Sequence, residues 1–132
     1  MYPETSEISL HMNAAFERLT AAEYLLEKDL YSDAVNRGYY SMFHAANAIL
    51  LDRGITIKTH SGLIATFGQE LIQSGEIERK YGRMFANAEV LREKSDYSLS
   101  FQITKEQAEC LLQDARTFVT MIKGQLKKIQ VQ

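Results

Sequence analysis

After Pro3 the chain contains no further proline, all the way to Gln132. Proline lacks a backbone N–H and its ring clashes with the preceding turn, so it interrupts helices. A chain without it can run long helices unbroken, and its punctuation must come from glycine and small polar residues. The apolar residues then decide which helices form.

The first helix is predicted from about Glu4 to Asp29, where Ile8, Met12, Ala15, Phe16, Leu19, Ala22, Leu26 and Leu30 recur every three or four residues. The Tyr31-Ser32-Asp33 stretch breaks it, with Ser32 as the N-cap of the next helix. The second helix, about Asp33 to Arg53, is apolar nearly all round and so is expected to be buried on more than one side, with Gly54 as a left-handed residue at its end. The third starts near Ser61, carries Leu63, Ile64, Phe67, Leu71 and Ile72, and ends at Gly75. The fourth covers about Glu76 to Lys94, with Ile77, Tyr81, Phe85, Ala88 and Leu91 on one face. Ser95 to Ile103 reads as an extended loop, since no second strand exists to pair with it. The fifth opens on a Thr104-Lys105-Glu106-Gln107 capping box and carries Leu111, Ala115, Phe118, Ile122, Leu126 and Ile129. The fold class is all-α: one domain, residues 1–132, built as an up-and-down bundle of four major helices and one shorter helix.

Composition removes several classes. At 45% hydrophobic and 24% charged residues the chain is globular in character rather than disordered or low-complexity. A single cysteine, Cys110, allows neither a disulfide framework nor a cysteine-rich zinc module. The formal charge of −2 means that any nucleic-acid contact must come from a local basic patch. No apolar run reaches the length of a membrane span, and the first residues lack the pattern of a signal peptide, so the expected address is cytoplasmic, away from the membrane.

Chemistry concentrates on the second helix, in Asn36-Arg37-Gly38-Tyr39-Tyr40-Ser41-Met42-Phe43-His44. Arg37 and His44 are two helical turns apart, on one face and about 10 Å apart along the axis. Tyr40, Ser41 and Asn47 continue the polar stripe. Such groups on a buried helix need partners. They form either an internal network, with Arg37 paired to an acid, or a phosphate or ligand site. A second cluster, Arg92-Glu93-Lys94-Ser95-Asp96-Tyr97, ends the fourth helix, with Asp96 as a cap and Tyr97 as an anchor for the loop. Lys58-Thr59-His60-Ser61 opens the third helix, whose exposed N–H groups can be capped or can hold an anion. His11, His44 and His60 lack the local spacings of helical metal sites, and no phosphate-binding glycine loop is present, so neither metal nor cofactor is expected.

Four segments, in this order, resemble the HEPN domain in its small stand-alone prokaryotic branch. They are Tyr31-Ser32-Asp33-Ala34, Asn36 to Ala46, Lys58-Thr59-His60-Ser61-Gly62, and Arg92 to Asp96-Tyr97. The resemblance covers essentially the whole chain. It implies a compact helical bundle that dimerises, often paired with a minimal nucleotidyltransferase as a toxin–antitoxin or defence system. It also implies a metal-independent RNase motif of Arg, four to six residues, then His, which Arg37 and His44 match with six between. In that reading His44 moves the proton and Arg37 holds the phosphate. Asn36, Tyr40, Ser41, Lys58, His60, Arg92, Asp96 and Tyr97 are the candidate binding residues. Two features depart from the active pattern: Gly38 follows the arginine where a polar residue is usual, and the motif lies early, at Arg37, where it typically sits late; the late counterpart is Arg92, with Tyr97 where a histidine is expected. Arg53 and His60 repeat the spacing, but across Gly54 and a loop.

The resulting expectation is a HEPN-like protein acting on or around RNA. It is a homodimer with a nucleotidyltransferase partner and an RNA or nucleotide ligand. The alternative is a non-catalytic helical module that binds a nucleotide or a partner protein.

Overall fold

The computed structural model describes residues 2–3 and 5–131, and side chains through Leu126. Glu4 and the side chain of Ile129, placed above in the first and last helices, lie outside the described residues. The helices are α1 (Glu7–Glu27), α2 (Tyr31–Asp52), α3 (His60–Phe67), α4 (Arg79–Tyr97) and α5 (Lys105–Val131), four long and one short. A single π-helical turn, Gly68–Ile72, prolongs α3. The all-α bundle is the expected class.

The boundaries follow local chemistry. Ser6 caps α1, its hydroxyl accepting the Ser9 N–H at 3.1 Å. At the other end Asp29 adopts a left-handed φ of 60°. The Leu30 and Asp29 N–H groups then turn back onto the carbonyls of Leu25 and Leu26, closing the helix in a Schellman arrangement. The break therefore falls before Tyr31, and Ser32 lies inside α2 rather than capping it. Aspartate can stand there because its short polar side chain tolerates the left-handed region. Gly54, at φ 77°, closes α2 in the same way, with the Ile55 N–H bonded to Leu50. Thr59 caps α3 through the Gly62 N–H at 3.0 Å. The capping box on α5 is reciprocal: the Gln107 side chain accepts from Thr104 N–H at 2.9 Å, and the Thr104 hydroxyl accepts from Gln107 N–H at 3.1 Å.

α4 differs most from expectation. It starts at Arg79 rather than Glu76 and runs three residues past Lys94, so Ser95, Asp96 and Tyr97 are helical. An ion pair between Arg92 and Asp96, one turn apart, spans this last stretch. Asp96 is thus a side-chain partner of Arg92 and not a cap.

α2 is the central element and packs on all four other helices, most extensively on α1 and α5. Its buried residues include Ala34, Val35, Tyr39, Met42 and the run Ala45 to Leu50. Tyr39, Phe67, Phe85 and Phe118 lie at the middle of the core, the three phenylalanine rings 5.3–5.8 Å apart. Gly38 has a packing reason. A β-carbon there would stand 2.7 Å from Leu111 Cδ2, so any larger residue would make that α5 side chain shift. Two members of the expected α1 stripe are not in the core: Phe16 is 36% exposed and Leu30 48%. Phe16 lies off the covered side of α1, and Leu30 lies beyond its end, at the N-cap of α2.

Candidate functional site

The polar stripe of α2 divides once its neighbours are in place. Ser41 is fully buried and gives its hydroxyl proton to the Gly38 carbonyl at 2.6 Å. Asn47 donates to the Phe43 carbonyl at 3.0 Å. Both are therefore satisfied by their own helix. Asn36 is half-buried. Arg37 is exposed, and among the described residues it forms no ion pair. The expected internal pairing of Arg37 with an acid does not occur.

His44 turns toward α1. Its Nδ1 lies 2.9 Å from Nδ1 of His11, and the ring centroids are 5.2 Å apart. Burial lowers the pKa of His44 to about 4, and the neighbouring His11 and Arg18 push the same way. Burial also lowers that of His11, against the pull of Glu7. At neutral pH both rings are uncharged, and one must donate the proton that the other accepts. His11 was not anticipated: it is 33 residues from His44, and only the α1–α2 packing brings them together.

The other polar groups gather where α2, the start of α3 and α4 meet. The Tyr39 hydroxyl and His60 Nδ1 are 2.8 Å apart, and Glu89 Oε2 is 3.8 Å from the same nitrogen. Arg92 bonds Glu89 through one guanidinium nitrogen and Asp96, at 2.9 Å, through another. The guanidinium also lies over Tyr39, 4.9 Å from the ring centre, and 6.0 Å from that of Tyr40. Glu89 and Arg92 are only 8% and 6% exposed. Burial acts against the Glu89 anion, but the Tyr39 hydroxyl and the Arg92 guanidinium outweigh it and hold the carboxyl below its ordinary range. Burial also opposes the Arg92 cation, and its carboxylate partners more than reverse this. Tyr39 is pushed well above the ordinary phenol range, first by burial and then by Glu89.

Four expected binding residues, Tyr40, His60, Arg92 and Asp96, thus form one cluster, joined by Tyr39 and Glu89. Lys58 is exposed in the loop before α3, and Tyr97 is 82% exposed at the end of α4. Glu89 was missed, although its signal was present. Glu89, Arg92 and Asp96 stand at helical spacings of three and four, visible once α4 is carried to Tyr97. Arg92 is committed to two carboxylates, and Arg37 is not. Among the described residues no group of three or more His, Cys, Asp or Glu side chains is placed to hold a metal ion. Nor, among them, is any helix long and apolar enough to cross a membrane.

Comparison with known proteins agrees with this architecture. A family model described as the HEPN domain matches residues 8–125. A protein of Methanocaldococcus jannaschii named as a candidate toxin is 42% identical over 123 residues, covering 93% of this chain and 91% of the relative. A second candidate toxin from that organism is 34% identical, with 91% and 82% covered. A UPF0332 protein of Pyrococcus horikoshii is 33% identical, with 95% and 82% covered.

Proposed function

The chain belongs to the HEPN domain family, and on that premise we propose that it is the toxin-type member of a toxin–antitoxin or defence pair and acts on RNA. Two relatives named as candidate toxins, aligned over nearly their whole length, support the toxin-type reading. In this proposal Arg37 and His44 carry the chemistry and no metal is required. The observation behind it is the contrast between two arginines: Arg37 is exposed and without a carboxylate partner among the described residues, on the same face of α2 as His44, whereas Arg92 is held by Glu89 and Asp96.

An exposed guanidinium is a bidentate donor suited to a phosphodiester and to the charge that builds on it. His44 Nδ1 faces His11, which leaves Nε2 for the substrate. The 2′-hydroxyl proton passes to that nitrogen as the 2′-oxygen attacks the adjacent phosphorus. The bond from phosphorus to the 5′-oxygen breaks, and a proton returns to the departing oxygen. The products are a 2′,3′-cyclic phosphate and a 5′-hydroxyl. Lys58, His60 and Tyr97 are proposed as flanking contacts to RNA. A nucleotidyltransferase is the proposed partner, the cytoplasm the proposed location, and a homodimer the proposed state.

The test is cleavage of RNA in EDTA by the purified protein. His44→Ala should lower the rate by about 10²–10⁴ while the far-UV circular dichroism is kept. Arg37→Ala should weaken RNA binding as well as turnover. Unchanged activity in His44→Ala would remove that residue from the mechanism. A wild type inactive on many RNAs gives first place to a non-catalytic module that binds a nucleotide or a partner protein. One observation favours that second reading: Gly38, where the active pattern of the family has a polar residue, sits against the buried Leu111 side chain, which would have to shift for any larger residue.

A further inference from the structure

We propose that the cleft between α4 and α5 is a binding site for a small organic cation, a primary amine carried on an apolar body. The lining of the cleft is largely apolar and bears one charge. Ala88 and Leu111 are its buried residues, and Met84 and Leu91 are half-buried beside them. The charge belongs to Asp114, which is also half-buried. No lysine, arginine or histidine is among the lining residues. The cleft holds about 230 Å³, less than the roughly 300–1,000 Å³ of sites for drug-sized ligands, so its occupant is small.

The state of Asp114 selects the charge of the ligand. Among the described residues it forms no ion pair. Its own helix offers no cation within one turn, where the positions three and four away are Cys110, Leu111, Thr117 and Phe118. Glu89, the buried carboxylate of α4, is held by Arg92; Asp114 has no such partner. Burial pushes its carboxyl above the ordinary aspartate range, and no neighbouring cation opposes this. A carboxylate partly withdrawn from water and left unpaired is stabilised by a cation that brings its own hydrogen-bond donors. An ammonium group is such a cation, and its apolar body gains by leaving water against Met84, Leu91 and Leu111. An anion would be repelled by the same carboxylate. Asn87 and Gln107 add side-chain amides to the lining, whose oxygens can accept the remaining ammonium protons. None of these residues takes part in the RNA proposal, so the inference stands apart from it.

Cys110 supplies the assay. It lines the cleft, it is exposed, and it is the only cysteine of the chain, so its alkylation by uncharged iodoacetamide reports occupancy alone. The probes are phenethylamine, its neutral isostere phenethyl alcohol and the anion hydrocinnamate, each titrated against the full chain at neutral pH. The amine should slow the alkylation and shift the side-chain amide resonances of Asn87 and Gln107 in the NMR spectrum. It should bind about tenfold more tightly than the alcohol, the effect of one charge-assisted hydrogen bond, and hydrocinnamate should not bind. Asp114→Asn, with its circular dichroism unchanged, should bring the affinity for the amine down to that for the alcohol. The comparison of the three probes on the wild type needs no variant and stands as an independent arm. Equal binding of amine and alcohol would overturn the proposal. So would an amine affinity untouched by Asp114→Asn, or no protection of Cys110 at millimolar amine. A Cys110 already unreactive in a protein of twice the chain mass would show the cleft closed by a second copy, and would overturn it as well.

Discussion

Replacing Arg92 by methionine should destabilise the protein far more than it affects any contact with RNA. The guanidinium is 6% exposed, lies over the Tyr39 ring and neutralises Glu89, itself 8% exposed. Methionine keeps most of the packing volume and removes the charge. What remains is a buried carboxylate without its cation, and removing one member of a buried pair costs about 3–5 kcal/mol. Against a total stability of about 5–15 kcal/mol this is a large fraction. For a chain of this size it corresponds to a fall in Tm of about 10–20 °C. Urea and thermal unfolding followed by circular dichroism measure it. pH supplies a second test. In the wild type the folded pKa of Glu89 lies below its ordinary 4.5, so its contribution is complete above that value and is lost as pH falls through the folded pKa. In Arg92→Met burial acts on the carboxyl unopposed by that cation and raises its folded pKa, so the variant loses stability as pH rises through it. The gap between the two proteins must therefore narrow as pH falls below about 4.5. The double variant Glu89→Leu/Arg92→Met should recover most of the loss, because no orphaned charge remains. A loss under about 1 kcal/mol, or a gap that widens in acid, would refute the assignment of Arg92 as a buried structural cation.

The remaining expectations concern packing, capping and association. Gly38→Val should destabilise by about 1–3 kcal/mol, read by urea unfolding, because even a β-carbon there meets Leu111 at 2.7 Å; a neutral result would mean that the Leu111 side chain turns aside at no cost. Thr104→Ala should cost about 1 kcal/mol, since it removes half of the reciprocal box with Gln107; amide exchange in the first turn of α5 should rise with it. Light scattering at micromolar concentration should give twice the chain mass of 15.1 kDa, and a monomer throughout would contradict the homodimer.

Most of the fold was legible because it is written in local rules. The left-handed glycine at Gly54, the capping box at Thr104 and the all-round apolar character of α2 each act within a few residues, and each is found where the sequence places it. The errors have a shared cause. The α1–α2 break was assigned to the polar run at Ser32, yet Asp29 takes the left-handed position first. α4 was ended at Lys94, yet the Arg92–Asp96 pair spans residues beyond it. In both cases a charged side chain ranked low by propensity had a local partner or a backbone geometry that suited it.

The candidate site was less legible, for a different physical reason. Periodicity places residues on a face but says nothing of what that face meets. Arg37, Ser41, His44 and Asn47 were read as one polar stripe with common needs. Packing gives them separate fates: Ser41 and Asn47 bond to their own backbone, His44 meets His11 across the seam, and Arg37 reaches solvent. Gly38 shows the same division from the other side. As a motif position it marks a departure from an active pattern; as a packing position it is the point where α5 closes on α2. Any side chain at that position makes the buried Leu111 methyl give way, so a polar group there would come with a packing cost. If the chain is an RNase, it must therefore work without a polar group after Arg37, and the substrate must be held by groups that the packing leaves exposed. Arg37, Lys58 and Tyr97 are three such groups on three different segments. Losing RNA binding through Arg37→Ala while keeping it in Arg92→Met, measured per folded molecule, would separate the exposed arginine from the buried one.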